Sequence, residues 1–288
     1  MQGTVDGFSY GLVTPVVAYL MACLGGALGL RCTARSVLVA QSWRVGWLAL
    51  GAAAIGSGIW TMHFIAMMGF SVRETPIHYD RGITFASLAV AIVMVGVGVF
   101  IVGYRGATGV ALFTGGTITG LGVASMHYLG MAGMRLNGVL GYNTFTVAVS
   151  VVIAVVAATA ALWAAGQGRG FLWSIGASLV MGLAVTGMHY TGMAALRVHV
   201  HSSPGAPAGE SPATLLAPLM IGPLVFLCLA GVVVMFDPLI VMGKPVWTPA
   251  ERKPGVPAHP EVDDTGRRPL LRTPERAGYR GPRTPQRR

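Results

Sequence analysis

Three histidines stand in the same frame of this chain. The first lies in Met62-His63-Phe64-Ile65-Ala66-Met67, the second in Met126-His127-Tyr128-Leu129-Gly130-Met131, the third in Met188-His189-Tyr190-Thr191-Gly192-Met193. The phrase is M-H-[YF]-x-[GA]-M, and its copies begin 64 and 62 residues apart. The frame extends upstream: Gly56 and Gly58, Gly120 and Gly122, and Gly182 and Ala184 stand at the same offsets before each Met-His pair. A repeat at fixed period describes architecture before it describes chemistry.

On a helix, residues four apart share a face. His63 and Met67, His127 and Met131, and His189 and Met193 would then project together. The leading methionines Met62, Met126 and Met188 fall on an adjoining face, among small residues that let membrane helices approach closely. Imidazole with thioether is a soft-to-borderline donor set that suits copper, and Cu(I) in particular. Three His and six Met have the donors for one or two copper ions. No Asp or Glu stands beside the motifs to build a carboxylate iron site. The competing reading is structural, each imidazole bonding to a neighbouring hydroxyl or carbonyl. Tyr128 and Tyr190 fit an interfacial aromatic belt, and His78, His199 and His201 are candidates for an outer accessory metal site.

The elements that carry these residues must cross a membrane. Of the 288 residues 53% are hydrophobic and only 10% charged, too apolar for an ordinary soluble domain. Between residues 7 and 236 the only acidic residues are Glu74, Asp80 and Glu210. The uncharged runs suffice for helices of the ~20 residues a bilayer requires. Seven spans are expected, near 10–30, 45–70, 82–102, 109–134, 145–165, 171–196 and 215–236. The fold class is therefore all-α: a seven-transmembrane bundle of three parallel two-helix repeats plus one helix. Each motif closes an even-numbered span, so all three lie at one depth.

A short polar segment, 1–9, precedes this membrane domain of residues 10–236. It has no basic stretch before the first apolar run, so a cleaved signal peptide is not expected. Residues 237–288 hold ten prolines and eleven of the 20 Lys and Arg. Such a tail buries too little apolar surface to offset its ordering entropy, and disorder is expected. Arg31, Arg35, Arg44, Arg105 and Arg169 flank one end of the spans, and Arg73, Arg81, Arg135 and Arg197 the other. With Lys244, Arg252 and Lys253 this bias places the tail in the cytoplasm and the N-terminus and motifs outside the cell membrane.

Other chemistries are disfavoured. The net charge of +10 could suggest nucleic acid, but eleven of the 20 Lys and Arg lie in the Pro-rich tail without aromatic interleaving, which reads as membrane topology or lipid contact. Cys23, Cys32 and Cys228 are odd in number and far apart, so no disulfide framework follows. Glycine-rich stretches such as Gly115-Gly116-Thr117 lack the Lys of a phosphate loop. No nucleophile–base pair for acyl transfer is present.

The triple phrase at the ends of alternate spans resembles the MHYT domain of bacteria, over roughly residues 10–236. The first copy departs from it at Phe64 and Ala66. The resemblance implies a sensory membrane domain rather than an enzyme. It implies copper bound through Met and His near the outer face, and detection of a diatomic gas such as O2, CO or NO. Members of that family often continue into a cytoplasmic output domain, whereas 52 residues follow the last span here, so a separate cytoplasmic signalling partner is expected. Copper handling or transport, a membrane oxidoreductase and a metal-free scaffold are the alternatives.

Overall fold

The computed structural model describes residues 2–167, 170–200 and 209–236. Seven helices are long and apolar enough to span a membrane: α1 Val13–Ser36, α2 Gln41–Met68, α3 Arg81–Arg105, α4 Gly109–Ala132, α5 Thr144–Gly166, α6 Phe171–Ala194 and α7 Pro212–Met235. Helices are the form that such runs must take, because hydrocarbon offers the backbone no external hydrogen-bond partner. The seven-span bundle of three parallel repeats is thus observed. The tail lies outside the described residues, as do Arg169 and His201.

Six helices close a ring. Each odd helix packs between two motif helices: α3 between α2 and α4, α5 between α4 and α6, α1 between α6 and α2. Glycines set these contacts at repeated positions. A Cβ on Gly56 would lie 2.9 Å from Ile92 of α3, one on Gly120 2.4 Å from Val155 of α5, and one on Gly182 2.5 Å from Cys23 of α1. α7 stands outside the ring, against α1 and α2. The ring is therefore closed by the first helix, not the last.

Two departures from the sequence reading concern ends and loops. The first helix begins at Val13 and continues through Arg31 and Arg35 to Ser36, so the expected loop 31–44 shrinks to residues 37–40. Arg35 escapes the apolar layer by placing its guanidinium over the Trp47 ring, 5.8 Å from the centroid. Arg44, near the start of α2, donates to the Gly103 carbonyl and stacks on Tyr104.

At the opposite end the segments read as loops form three antiparallel ribbons. Strand β1 (Val5–Asp6) pairs with β2 (Ser71–Val72), β3 (His78–Tyr79) with β4 (Met134–Arg135), and β5 (Gly138–Tyr142) with β6 (Leu196–Val200). Gln2 bridges to His199, and the Gly3 amide donates to the Val198 carbonyl at 2.8 Å. The N-terminal segment is thus woven into a lid over the motif end. Strands of two to five residues paired across tens of positions leave little periodicity to detect.

The helices that leave this lid carry side-chain caps. Asp80, Asn143 and Ser211 each accept from the amide three residues ahead, at the starts of α3, α5 and α7. Asp80 also accepts from Arg135 Nη2 at 3.2 Å, tying β4 to α3. The Ile83 amide, then the Arg135 guanidinium, hold the Asp80 carboxyl below its ordinary value. A depressed folded-state pKa gives stability that is present above the unfolded value and lost as pH falls through the folded one. Asp80→Ala is expected to lower the thermal midpoint at neutral pH. That deficit should vanish in acid, below the ordinary carboxylate range, which a melting series against pH checks.

Candidate functional site

Each motif histidine stands five residues before the last residue of its helix, in α2, α4 and α6 alike. Equal depth and the closed ring bring the three rings onto one axis. The Nδ1 atoms of His63 and His189 are 3.0 Å apart, those of His127 and His63 3.1 Å, and those of His189 and His127 3.3 Å. The rings meet at 77–87° with centroids 5.0–5.1 Å apart, like three blades around an axle. Each histidine is 1% exposed.

Charge and proton counting define what this triangle can do. A neutral imidazole has one N–H. The axle has room for one proton among three convergent lone pairs, so at least two Nε2 atoms carry hydrogen. Yet Nε2 of His63 and Nε2 of His127 are buried without a hydrogen-bond partner. At least one buried N–H is left unpaired, a cost of ~1–3 kcal/mol. A cation on the axis would turn the lone-pair repulsion into attraction. A first-row metal bonded to three imidazoles at ~2.0–2.1 Å in tetrahedral geometry holds their nitrogens about 3.3 Å apart. The observed spacing lies close to that value. Among the described residues this is the one group of His, Cys, Asp or Glu side chains placed to hold a metal.

The methionines join the same core. Met62, Met67, Met126, Met131 and Met188 are buried, and Met193 is partly buried against them. The acidic residues Asp6, Glu74, Asp80 and Glu210 all lie outside the spans. His78 and His199 sit on different ribbons, β3 and β6, and belong to no metal-holding cluster.

The aromatic position corrects the belt expectation. Phe64 is fully buried and meets the His63 ring edge-on at 4.6 Å. Tyr128 and Tyr190 pack in the same way on His127 and His189, at 4.8 and 5.0 Å. Tyr128 hydrogen-bonds to Ser150 Oγ at 2.6 Å, and Phe8 of the lid stacks on Tyr190. The side chain after each His braces the imidazole instead of facing lipid, a role a phenyl ring fills as well as a phenol.

Two residues read as helix-packing have a different partner. A Cβ on Gly130 would lie 2.6 Å from His63 Nε2, and one on Gly192 2.4 Å from His127 Nε2. Each glycine seats the ring of the preceding repeat. The signal in the sequence was the [GA] position three residues after each His. It does not reveal that the partner is a histidine on another helix.

Below the triangle, Ile59, Val123 and Val185 stand one helical turn from the three histidines. They line a cavity of about 30 Å³ with Val95, Val99 and Leu162, whose wall carries the polar side chains of Thr33 and Thr119. This is room for about one small molecule.

The fold and site define a seven-span membrane domain of three parallel repeats that converge on a buried three-histidine centre. The chain belongs to the MHYT family, described as a bacterial signalling protein N terminal repeat, which matches residues 56–115, 120–177 and 182–242. It is 37% identical over 203 residues to the bifunctional diguanylate cyclase/cyclic di-GMP phosphodiesterase MucR of Pseudomonas aeruginosa, covering 69% of this chain and 30% of that protein. It is 34% identical over 210 residues to the cyclic di-GMP phosphodiesterase NbdA of the same organism, 69% of this chain and 27% of that one. It is 28% identical over 207 residues to the signaling protein YkoW of Bacillus subtilis, 68% of this chain and 25% of that one. The chain thus spans less than a third of these relatives' lengths. No solved structure matches it.

Proposed function

We propose that this membrane signalling domain is a metal-dependent sensor, with copper held by His63, His127 and His189 and a diatomic gas (O2, CO or NO) as its signal. The observation that carries the reading is the Nδ1 triangle of 3.0–3.3 Å, in which three ring nitrogens converge on one axis with room for a single proton among them. Met67, Met131 and Met193, one turn beyond the histidines, and Met62, Met126 and Met188 before them, supply soft sulfur, and thioether selects Cu(I) among the metals imidazole accepts. Bound there, copper would supply a redox-active centre.

The chain's own residues do the rest. Phe64, Tyr128 and Tyr190 brace the rings, and Gly130 and Gly192 let them approach. The lid ribbons cover the motif end. The cavity behind Ile59, Val123 and Val185, lined mostly by apolar side chains, has the size for a diatomic molecule. The arginine bias supports an orientation with the motifs on the outer side and the tail in the cytoplasm, where a separate signalling partner would take the output. The activities named for the relatives, diguanylate cyclase and cyclic di-GMP phosphodiesterase, suggest that partner's chemistry. The domain itself is proposed to bind and report, not to catalyse.

Infrared spectra of the purified, copper-loaded, reduced protein under carbon monoxide test this. A single sharp carbonyl band that disappears in the His63→Ala/His127→Ala/His189→Ala protein is the expected result. A spectrum identical for both proteins would overturn the gas-sensing reading.

A further inference from the structure

A second site lies away from the histidines, on the outer flank of the ring. A cleft of about 580 Å³ runs between α3 and α7, with Ser57 of α2 in its wall. Its body is apolar, lined by Phe85, Leu88, Leu215, Leu219 and Phe226. One mouth is charged, where Arg81 and Glu210 line the same cleft. These two residues are fixed at one level. Glu210 exchanges both backbone hydrogen bonds with Tyr79, at 2.8 and 3.3 Å, and Arg81 follows Tyr79 by two positions at the start of α3. Both side chains are exposed, and neither has an ion-pair or hydrogen-bond partner among the described residues.

The backbone adds an acceptor. Pro218 lies inside α7 and has no N–H, so the carbonyl of Thr214, four residues back, receives no helical bond from it. Thr214 and Pro218 both line the cleft. A first-turn carbonyl without its i+4 helical bond is free to accept from a bound donor at the mouth of the cleft.

We propose that this cleft binds a phospholipid with a zwitterionic, amine-bearing headgroup, of the phosphatidylethanolamine class. Arg81 takes the phosphate. The ammonium, with its N–H donors, meets Glu210 and the Thr214 carbonyl. An acyl chain lies along Phe85, Leu88, Leu219 and Phe226. A choline headgroup has no N–H to give Glu210 or the carbonyl, and a glycerol headgroup has no cation for Glu210. The larger groove between α5 and α6, about 700 Å³, is apolar throughout and has no such selectivity.

The test is native mass spectrometry of the full chain in detergent, titrated with palmitoyl-oleoyl phosphatidylethanolamine, phosphatidylcholine and phosphatidylglycerol in separate arms. The ethanolamine lipid should be retained preferentially by about five-fold, the scale of one exposed ion pair. Glu210→Gln should erase its advantage over the glycerol lipid, and Arg81→Gln should weaken all three. Gly222 also lines the cleft, and a Cβ there meets nothing within 4 Å. Gly222→Leu should fill it and lower retention whatever the headgroup. Equal retention of the three lipids by the wild type, preference for the glycerol lipid, or variants that leave the ethanolamine preference intact would each overturn the proposal.

Discussion

Purified Gly192→Val protein is expected to bind copper at least about ten-fold more weakly than wild type and to hold correspondingly less at limiting copper, the scale on which losing the support of a ligand lowers metal affinity. The valine would place a Cβ 2.4 Å from His127 Nε2, where nothing but hydrogen fits. The His127 ring must swing away, and its Nδ1 leaves the triangle. Gly130→Val should act equally through His63, whose Nε2 stands 2.6 Å from the same virtual atom. Gly187→Val is the control, since Gly187 lies on the same helix and a Cβ there meets nothing within 4 Å. Metal content per chain of the three variants decides the matter. Equal copper in Gly187→Val and Gly192→Val would show that seating of the imidazole is not what the glycine provides.

The second large effect is on stability. Gly58→Leu should lower the thermal midpoint of the detergent-solubilised protein strongly, because the new Cβ would sit 2.6 Å from the Gly25 Cα on α1. That neighbour is backbone and cannot rotate aside, so α1 and α2 must separate. Overpacking of this kind costs ~1–3 kcal/mol or more. α2 carries much of the core, with Trp60, Met62, His63, Phe64 and Met67 all at most 1% exposed. Gly46→Leu on the same helix meets nothing within 4 Å and should melt like wild type. Coincident melting curves for the two variants would contradict the packing described.

Much of the fold was legible because membrane spans announce themselves as uncharged runs, and a period near 63 residues fixed their pairing. The convergence of His63, His127 and His189 follows from parallel repeats with each His at one offset from its helix end. The lid was not legible. Val5–Asp6 finds Ser71–Val72 across the whole first repeat, and no local pattern encodes that. The extension of α1 past Arg31 was hidden because arginine reads as a span boundary, whereas Arg35 finds an indole ring. Gly130 and Gly192 were recognisable as small positions on a helix face. Their partners are imidazoles on other helices, which depends on the order of helices around the ring. That α1 rather than α7 closes the ring is likewise a tertiary choice, since both are apolar enough to span a membrane.

Quantitative metal analysis of wild type beside the His63→Ala/His127→Ala/His189→Ala protein tests the central claim most directly. Both are purified identically and checked by circular dichroism for retained helix. About one copper per wild-type chain is expected, since the three Nδ1 atoms form one ligand set, and background copper in the triple variant. Equal metal content in the two well-folded proteins, or none in either, would contradict it.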